Sequence, residues 1–166
     1  MVLDRLNVAK LFELQRILDD RIEGAKTLGA EELLKKKVLA LFVELGELAN
    51  ETRCFKFWSE KPPSARARIL DEYVDGLHFV LSLGLMINCE DRVEASYSDN
   101  DVDLTKLFIN VYQVIADFQS AHQSNYQLLM SHYLALGYGL GFTNEEIEAG
   151  YVLKNDVNHQ RQEAGY

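Results

Sequence analysis

The sequence is short of proline and cysteine. Its only prolines, Pro62 and Pro63, are adjacent, so long stretches on both sides are free of this helix breaker. The two cysteines, Cys54 and Cys89, lack the spacing of a metal-binding or redox motif, and we expect two reduced thiols. These shortages exclude a disulfide-stabilised scaffold and leave room for long helices.

Long hydrophobic runs are also missing. Residues 76–89 form an apolar stretch without charge, but they include His78, Ser82 and Asn88, and no segment reaches the roughly 18 apolar residues of a membrane span. The first residues carry an early acid, Asp4, instead of a basic region followed by an apolar one, which is unlike a secretory signal. We therefore expect a cytoplasmic protein with no membrane partner.

Positive charge is scarce compared with negative charge. The chain has 17 Lys and Arg residues against 26 Asp and Glu residues, a formal net charge of −9. This balance disfavours binding to nucleic acid or to anionic membranes, so we expect no nucleic-acid partner. A polyanionic ligand would need local basic residues or bridging metal ions.

Apolar residues at helical spacing are abundant. The 166 residues suit a single domain over 1–166, and intervals of three or four between apolar positions predict an all-α fold. The expected architecture is a compact bundle of five or six helices. The predicted helices cover residues 4–23, 30–52, 64–87, 104–121, 125–140 and 145 onward, with a capping box of Thr143 and Glu146 before the last.

Four acidic residues border the apolar stripes of two predicted helices. Glu72 lies in the middle of a stripe with Asp75 three residues later, and Glu44 and Glu47 flank an apolar face of the second helix. Four converging carboxylates could not all stay ionised unless cations neutralised them. Oxygen-only ligands favour Mg²⁺, with Mn²⁺ as a substitute, over zinc. The alternative is that these acids form a solvated helix face.

Two glycines lie beside the acidic pairs, inside predicted helices. Gly46 and Gly76 each cost roughly 1 kcal/mol relative to alanine at such positions. A close approach between helices would explain why glycine is present there.

The C-terminal helix carries a strip of polar residues. Tyr151, Lys154, Asn158 and Arg161 fall on one face, and Tyr166 ends the chain. Two cations beside amide donors suit a phosphate chain. The alternative is a solvated terminal helix that frays at its end.

Aromatic residues and an amide supply candidates for binding a base. The break after the second helix contains Phe55, Lys56, Phe57 and Trp58, and Trp58 is the candidate stacking surface for a nucleobase. The alternative is that these rings plug the end of the bundle. Gln15 interrupts an apolar stripe, so its amide must bond either to a neighbouring backbone group or to a base edge.

With these residues in view, the chain resembles the dimeric, all-α type of dUTP diphosphatase, a branch of the all-α nucleoside triphosphate pyrophosphohydrolases that includes MazG-like proteins. Nearly the full length takes part in the resemblance. It is carried by Glu44-Leu-Gly-Glu47, the Phe-Lys-Phe-Trp-Ser block at 55–59, Asp71-Glu72-Tyr-Val-Asp75-Gly-Leu-His78-Phe, and the tail with Lys154, Asn158, Arg161 and Gly165-Tyr166.

The resemblance implies a Mg²⁺-dependent hydrolysis of dUTP to dUMP and pyrophosphate by a metal-activated water. This reaction keeps uracil out of DNA and supplies the precursor of dTMP. A homodimer is implied as well. The implied roles are metal binding and catalysis for Glu44, Glu47, Glu72 and Asp75, and substrate binding for Gln15, Lys56, Trp58, Lys154, Asn158, Arg161 and Tyr166.

Two alternatives remain open at this stage. The first is a sister pyrophosphohydrolase that acts on another nucleotide, such as dCTP, with the same metal site. The second is a non-catalytic helical protein that binds a partner, in which the acids face solvent. His78 is expected to be a packed histidine that supports a metal ligand at most.

Overall fold

Six helices are present in the computed structural model, which describes residues 6–24, 27–90, 103–118 and 123–166. No strand occurs in these ranges, so the predicted all-α class and the predicted number of helices are confirmed. In the same ranges, no helix combines the length and the apolar character needed to cross a membrane. The helices are α1 Val8–Glu23, α2 Ala30–Thr52, α3 Arg66–Met86, α4 Leu104–Ala116, α5 Gln123–Gly139 and α6 Asn144–Glu163.

Side-chain caps fix where several helices begin. The Asn7 side chain accepts a hydrogen bond from the backbone of Lys10, so α1 starts at Val8 and not at residue 4. Both hydrogen bonds of the predicted capping box between Thr143 and Glu146 are formed. The fourth helix ends at residue 116, before the predicted 121, and residues 119–122 lie outside the described ranges.

Helix α3 is the central helix of the bundle. It contacts α1, α2, α5 and α6. Its buried residues include Tyr73, Val74, Leu77 and Leu81, which belong to the hydrophobic core. Polar residues on α3 therefore lie close to several other helices, and Glu72 is one of them.

Gly76 permits a close approach between α3 and α5. A Cβ atom at Gly76 would lie 2.0 Å from the hydroxyl oxygen of Tyr133. That hydroxyl donates to the backbone oxygen of Tyr73 at 2.8 Å, and the two tyrosine rings stack. The predicted close approach is thus confirmed at Gly76, whereas a Cβ at Gly46 would meet only the Tyr112 hydroxyl at 3.3 Å.

Gly76→Ala is expected to lower the free energy of unfolding by about 1–3 kcal/mol, because the added methyl group overpacks a buried contact. Denaturant unfolding followed by circular dichroism measures this change. Gly46→Ala is the matched control, since Gly46 also lies within a helix and its added Cβ would meet only the Tyr112 hydroxyl, at 3.3 Å. Equal stability of the two variants would show that Tyr133 moves aside without cost.

Candidate functional site

Three of the four predicted metal-binding acids converge between α2 and α3. One carboxylate oxygen from each of Glu44, Glu72 and Asp75 lies within 4.8 Å of the others. Glu72 is buried and the other two are half-buried. All the donors are carboxylate oxygens, the ligands that hard divalent cations prefer. This acid cluster, defined as Glu44, Glu72 and Asp75, has the chemistry and spacing to hold a divalent ion.

Glu47 lies one helical turn after Glu44, with an exposed side chain outside the acid cluster. Its negative charge contributes to raising the pKa values of both Glu44 and Glu72, so it lies within electrostatic reach of the cluster. The role of Glu47 as a metal ligand stays a prediction.

Burial, with repulsion between neighbouring carboxylates as a smaller cause, raises the pKa values of the cluster. Burial, followed by the charges of its acidic neighbours, raises the pKa of Glu44 from 4.5 to about 7. Burial is also the main cause of the raised pKa values of Glu72 and Asp75. Either a proton or a metal ion would relieve the repulsion among these groups. The cluster therefore attracts positive charge.

Lys154 on α6 reaches the acid cluster. Its ammonium group donates to Asp75 at 2.9 Å and lies 2.7 Å from an oxygen of Asp71. Burial lowers the pKa of Lys154, but the two carboxylates outweigh this effect and the pKa is raised. A predicted phosphate-binding residue and the predicted metal ligands thus lie side by side.

Arg68 is a second cation at the cluster and is absent from the site residues predicted from the sequence. Its guanidinium group contacts the carboxylate of Glu72 and lies 3.5 Å from oxygens of Glu51 and Asp71. The separation of four residues between Arg68 and Glu72 is the usual spacing of a helical ion pair and is a signal that could have revealed it.

A cavity of about 450 Å³ opens beside the acid cluster, with walls from α1, α2, α3 and α6. Glu44 and Asp75 line it on the cluster side. Asn158, Arg161 and Tyr166 of the C-terminal segment line it as well. With Gln15, which also lines it, the fold brings four predicted substrate-binding residues to the same cavity as two predicted metal ligands.

Gln15 and His78 line this cavity and are hydrogen-bonded to each other. The side-chain oxygen of Gln15 accepts a hydrogen bond from the Tyr151 hydroxyl and lies 2.7 Å from Nδ1 of His78. Because a carbonyl oxygen only accepts, Nδ1 carries the hydrogen and Nε2 is an acceptor. Nε2 is buried and has no hydrogen-bond partner among the residues that the structure describes. Burial lowers the pKa of His78 to about 3, so the ring is neutral.

Asp19, which was not predicted from the sequence either, holds the side-chain nitrogen of Gln15. It accepts hydrogen bonds from the Gln15 amide at 2.8 Å and from the Ser82 hydroxyl at 2.6 Å. The ammonium group of Lys37 lies 3.6 Å away and also contacts Glu23. Burial raises the pKa of Asp19, although Lys37 opposes the shift. The spacing of four residues from Gln15 was the available signal in the sequence.

Trp58 and Lys56 lie outside the lining of this cavity. Trp58 is 64% exposed and contacts the exposed ring of Phe57 edge-on. Lys56 bonds to the Asn50 side chain and lies over the ring of Phe55. The interpretation that these rings plug the end of the bundle is wrong for Phe57, and the substrate roles of Trp58 and Lys56 stay predictions.

Comparison with known proteins agrees with this geometry. A family model described as dUTPase matches residues 7–166, which include all six helices. No curated protein sequence matches the chain. Because the family match spans nearly the whole sequence, the chain belongs to the dUTPase family and is a dUTP diphosphatase.

Proposed function

We propose that the chain hydrolyses dUTP to dUMP and pyrophosphate with Mg²⁺ held by Glu44, Glu72 and Asp75, and with Glu47 completing the ligand set. The convergence of three carboxylate oxygens within 4.8 Å carries this proposal. An all-oxygen donor set suits Mg²⁺, and Mn²⁺ uses the same ligands and would substitute.

The four acids would act by fixing positive charge at one side of the cavity. When bound there, divalent ions lower the pKa of a coordinated water and neutralise phosphate oxygens, which favours in-line attack on the triphosphate. The carboxylates orient these charges, and α2 and α3 set the distances between them. No covalent intermediate with the protein is needed.

Lys154, Asn158, Arg161 and Tyr166 would bind the phosphates. Lys154 already lies at the acid cluster, and the other three line the cavity next to it. Arg161 lies over the ring of Tyr166 and donates to Asn158 at 3.4 Å, so the tail residues support one another. A guanidinium fork and an ammonium group both suit phosphate oxygens.

The base would enter the cavity toward Gln15, and Trp58, which lies outside the cavity lining, would supply a stacking surface from the loop after α2. The Gln15 amide is held by Asp19, and its oxygen is already bonded to Tyr151 and His78. The buried acceptor Nε2 of His78 is then available to a donor on the nucleotide. Destroying dUTP in this way keeps uracil out of DNA and supplies the precursor of dTMP.

A homodimer, a single domain over 1–166 and a cytoplasmic location complete the proposal. Exposed apolar side chains on α2 and α4, among them Leu39, Val43 and Ile109, support burial against a second copy. One shared core supports the single domain, and two free cysteines suit a reducing compartment. Sedimentation velocity tests the assembly, and a monomer at micromolar concentration would contradict it.

Turnover of each deoxynucleoside triphosphate, with and without Mg²⁺, tests the function. We expect pyrophosphate release from dUTP only when Mg²⁺ is present. Faster release of pyrophosphate from dCTP would show that dCTP is the substrate, and the assignment of the metal site would stand. If no nucleotide released pyrophosphate, the alternative of a non-catalytic helical protein that binds a partner would be favoured.

Arg161→Ala is expected to raise KM for dUTP about tenfold with a smaller effect on kcat, because it removes a charge-assisted phosphate contact. Steady-state kinetics with saturating Mg²⁺ measures both constants. Arg21→Ala is the control, since Arg21 pairs with Glu163 and does not line the cavity. An unchanged KM in Arg161→Ala would make the tail residue structural only.

A further inference from the structure

Arg68 covers a buried member of the acid cluster with an exposed side chain. Its guanidinium contacts the Glu72 carboxylate, and the side chain of Arg68 is 55% exposed whereas that of Glu72 is 4% exposed. Weaker contacts reach Glu51 and Asp71, each at 3.5 Å. A cation placed in this way neutralises a buried acid while keeping access to solvent and to other partners.

The second cation of the cluster is held differently. Lys154 is only 10% exposed and contacts two carboxylates at 2.7 and 2.9 Å. Among the ion pairs of the described residues, Arg68 is the one cationic partner of Glu72. Lys154 is therefore held beside Asp75. Arg68, the cation at Glu72, is exposed enough to move away from its carboxylate.

Divalent cations and Arg68 compete for the same carboxylate. A metal ion bound by the acid cluster would coordinate an oxygen of Glu72, and the guanidinium contacts the same carboxylate. An arginine released from Glu72 would keep its contacts with Glu51 and Asp71 beside the cluster, from where it could turn to the phosphates of a nucleotide held by the metal ions. Its planar fork suits two phosphate oxygens.

We propose that Arg68 is a displaceable counter-cation of the metal centre, which neutralises Glu72 before divalent cations arrive and then binds the phosphates of the nucleotide. The inference rests on the proposed function, because it needs the acid cluster to be the metal site. Arg68 thereby becomes a substrate-binding residue in addition to the four in the C-terminal segment.

Binding of Mn²⁺ without nucleotide, followed by electron paramagnetic resonance of the free ion, tests the competition. Arg68→Gln is expected to lower the dissociation constant for Mn²⁺ roughly fivefold, because the competing cation is gone. Arg66→Gln is the matched control: it lies two residues earlier on α3, is similarly exposed and pairs with Glu146 instead. Arg68→Lys keeps the charge and should bind Mn²⁺ like the unaltered protein.

Steady-state kinetics with dUTP and saturating Mg²⁺ tests the second half of the proposal. Arg68→Gln is expected to raise KM about tenfold while Arg66→Gln stays unchanged, and Arg68→Lys should fall between them, because it cannot form the fork. Unchanged Mn²⁺ affinity or unchanged KM in Arg68→Gln overturns the role of Arg68 alone. Failure of the unaltered protein to bind Mn²⁺ overturns the metal centre and the role of Arg68 together.

Discussion

Glu72→Gln is expected to abolish the Mg²⁺-dependent hydrolysis of dUTP, with a loss of about a thousandfold or more, as for removal of a group that fixes transition-state charge. The variant keeps the size and shape of the side chain but removes the negative charge at the most buried position of the acid cluster. Turnover is measured as pyrophosphate release, and the helical circular dichroism signal should persist because the packing volume is unchanged.

The matched control for this prediction is Glu13→Gln on α1. Glu13 is exposed and lies outside the cavity lining, so the same chemical change should leave turnover and folding as they are. Full activity of Glu72→Gln beside a fully active control would reject the metal assignment. Loss of the helical signal in Glu72→Gln would instead show that the carboxylate is needed for folding.

The acid cluster was the part of the site that the sequence could indicate best. Glu72 and Asp75 are three residues apart, so one helix necessarily places them on neighbouring positions of one face. Glu44 was visible because it borders an apolar stripe that had to pack against another helix. Burial of Glu72 follows from its place in the middle of such a stripe, and the structure confirms it.

Contacts between helices were beyond the reach of periodicity. Lys37 and Asp19 meet across α1 and α2, and no spacing along the chain brings them together. The same holds for the bond between Gln15 and His78, which depends on how α1 packs against α3. Helical periodicity gives the face on which a residue lies, but rotation and offset of neighbouring helices decide its partner.

The fold was predictable to within a few residues at most helix ends, because capping residues mark some of them. Thr143 and Glu146 gave both the start and the hydrogen bonds of α6. The exposure of Trp58 was not predictable, since a loop has no periodicity from which to infer a buried face. Residues 91–102, which lie between the third and fourth predicted helices, are outside the described ranges.

Metal affinity is expected to fall about tenfold for each pH unit below 7, because a proton and a divalent ion compete for the same carboxylate. Burial and neighbouring charge raise the pKa of Glu44 to about 7, so this acid is largely protonated under mildly acidic conditions. Between about pH 8 and about pH 5 the dissociation constant for Mn²⁺ should rise roughly a hundredfold. Calorimetric titration in two buffers with different ionisation enthalpies measures both the affinity and the released proton.

Protein stability gives an independent measure of the same group. The pKa of Glu44 is raised above its ordinary 4.5. The folded protein therefore binds more protons at this residue than the unfolded chain does between pH 4.5 and about pH 7. This contribution to stability is complete below 4.5 and is lost as the pH rises through about 7. Divalent ions replace the proton, so the increase in Tm caused by Mn²⁺ should be larger above pH 7 than below it.

Glu44→Gln separates this group from the other acids of the cluster. The variant should bind Mn²⁺ more weakly near neutral pH, since one ligand is neutral, but its affinity should depend less on pH because no carboxylate at position 44 takes up a proton. An equally steep pH dependence in Glu44→Gln would show that the competing proton binds to Glu72 or Asp75, whose pKa values are also raised by burial. A flat profile in the unaltered protein would contradict the competition between proton and metal, and with it the idea that repulsion among these carboxylates is what draws the metal in.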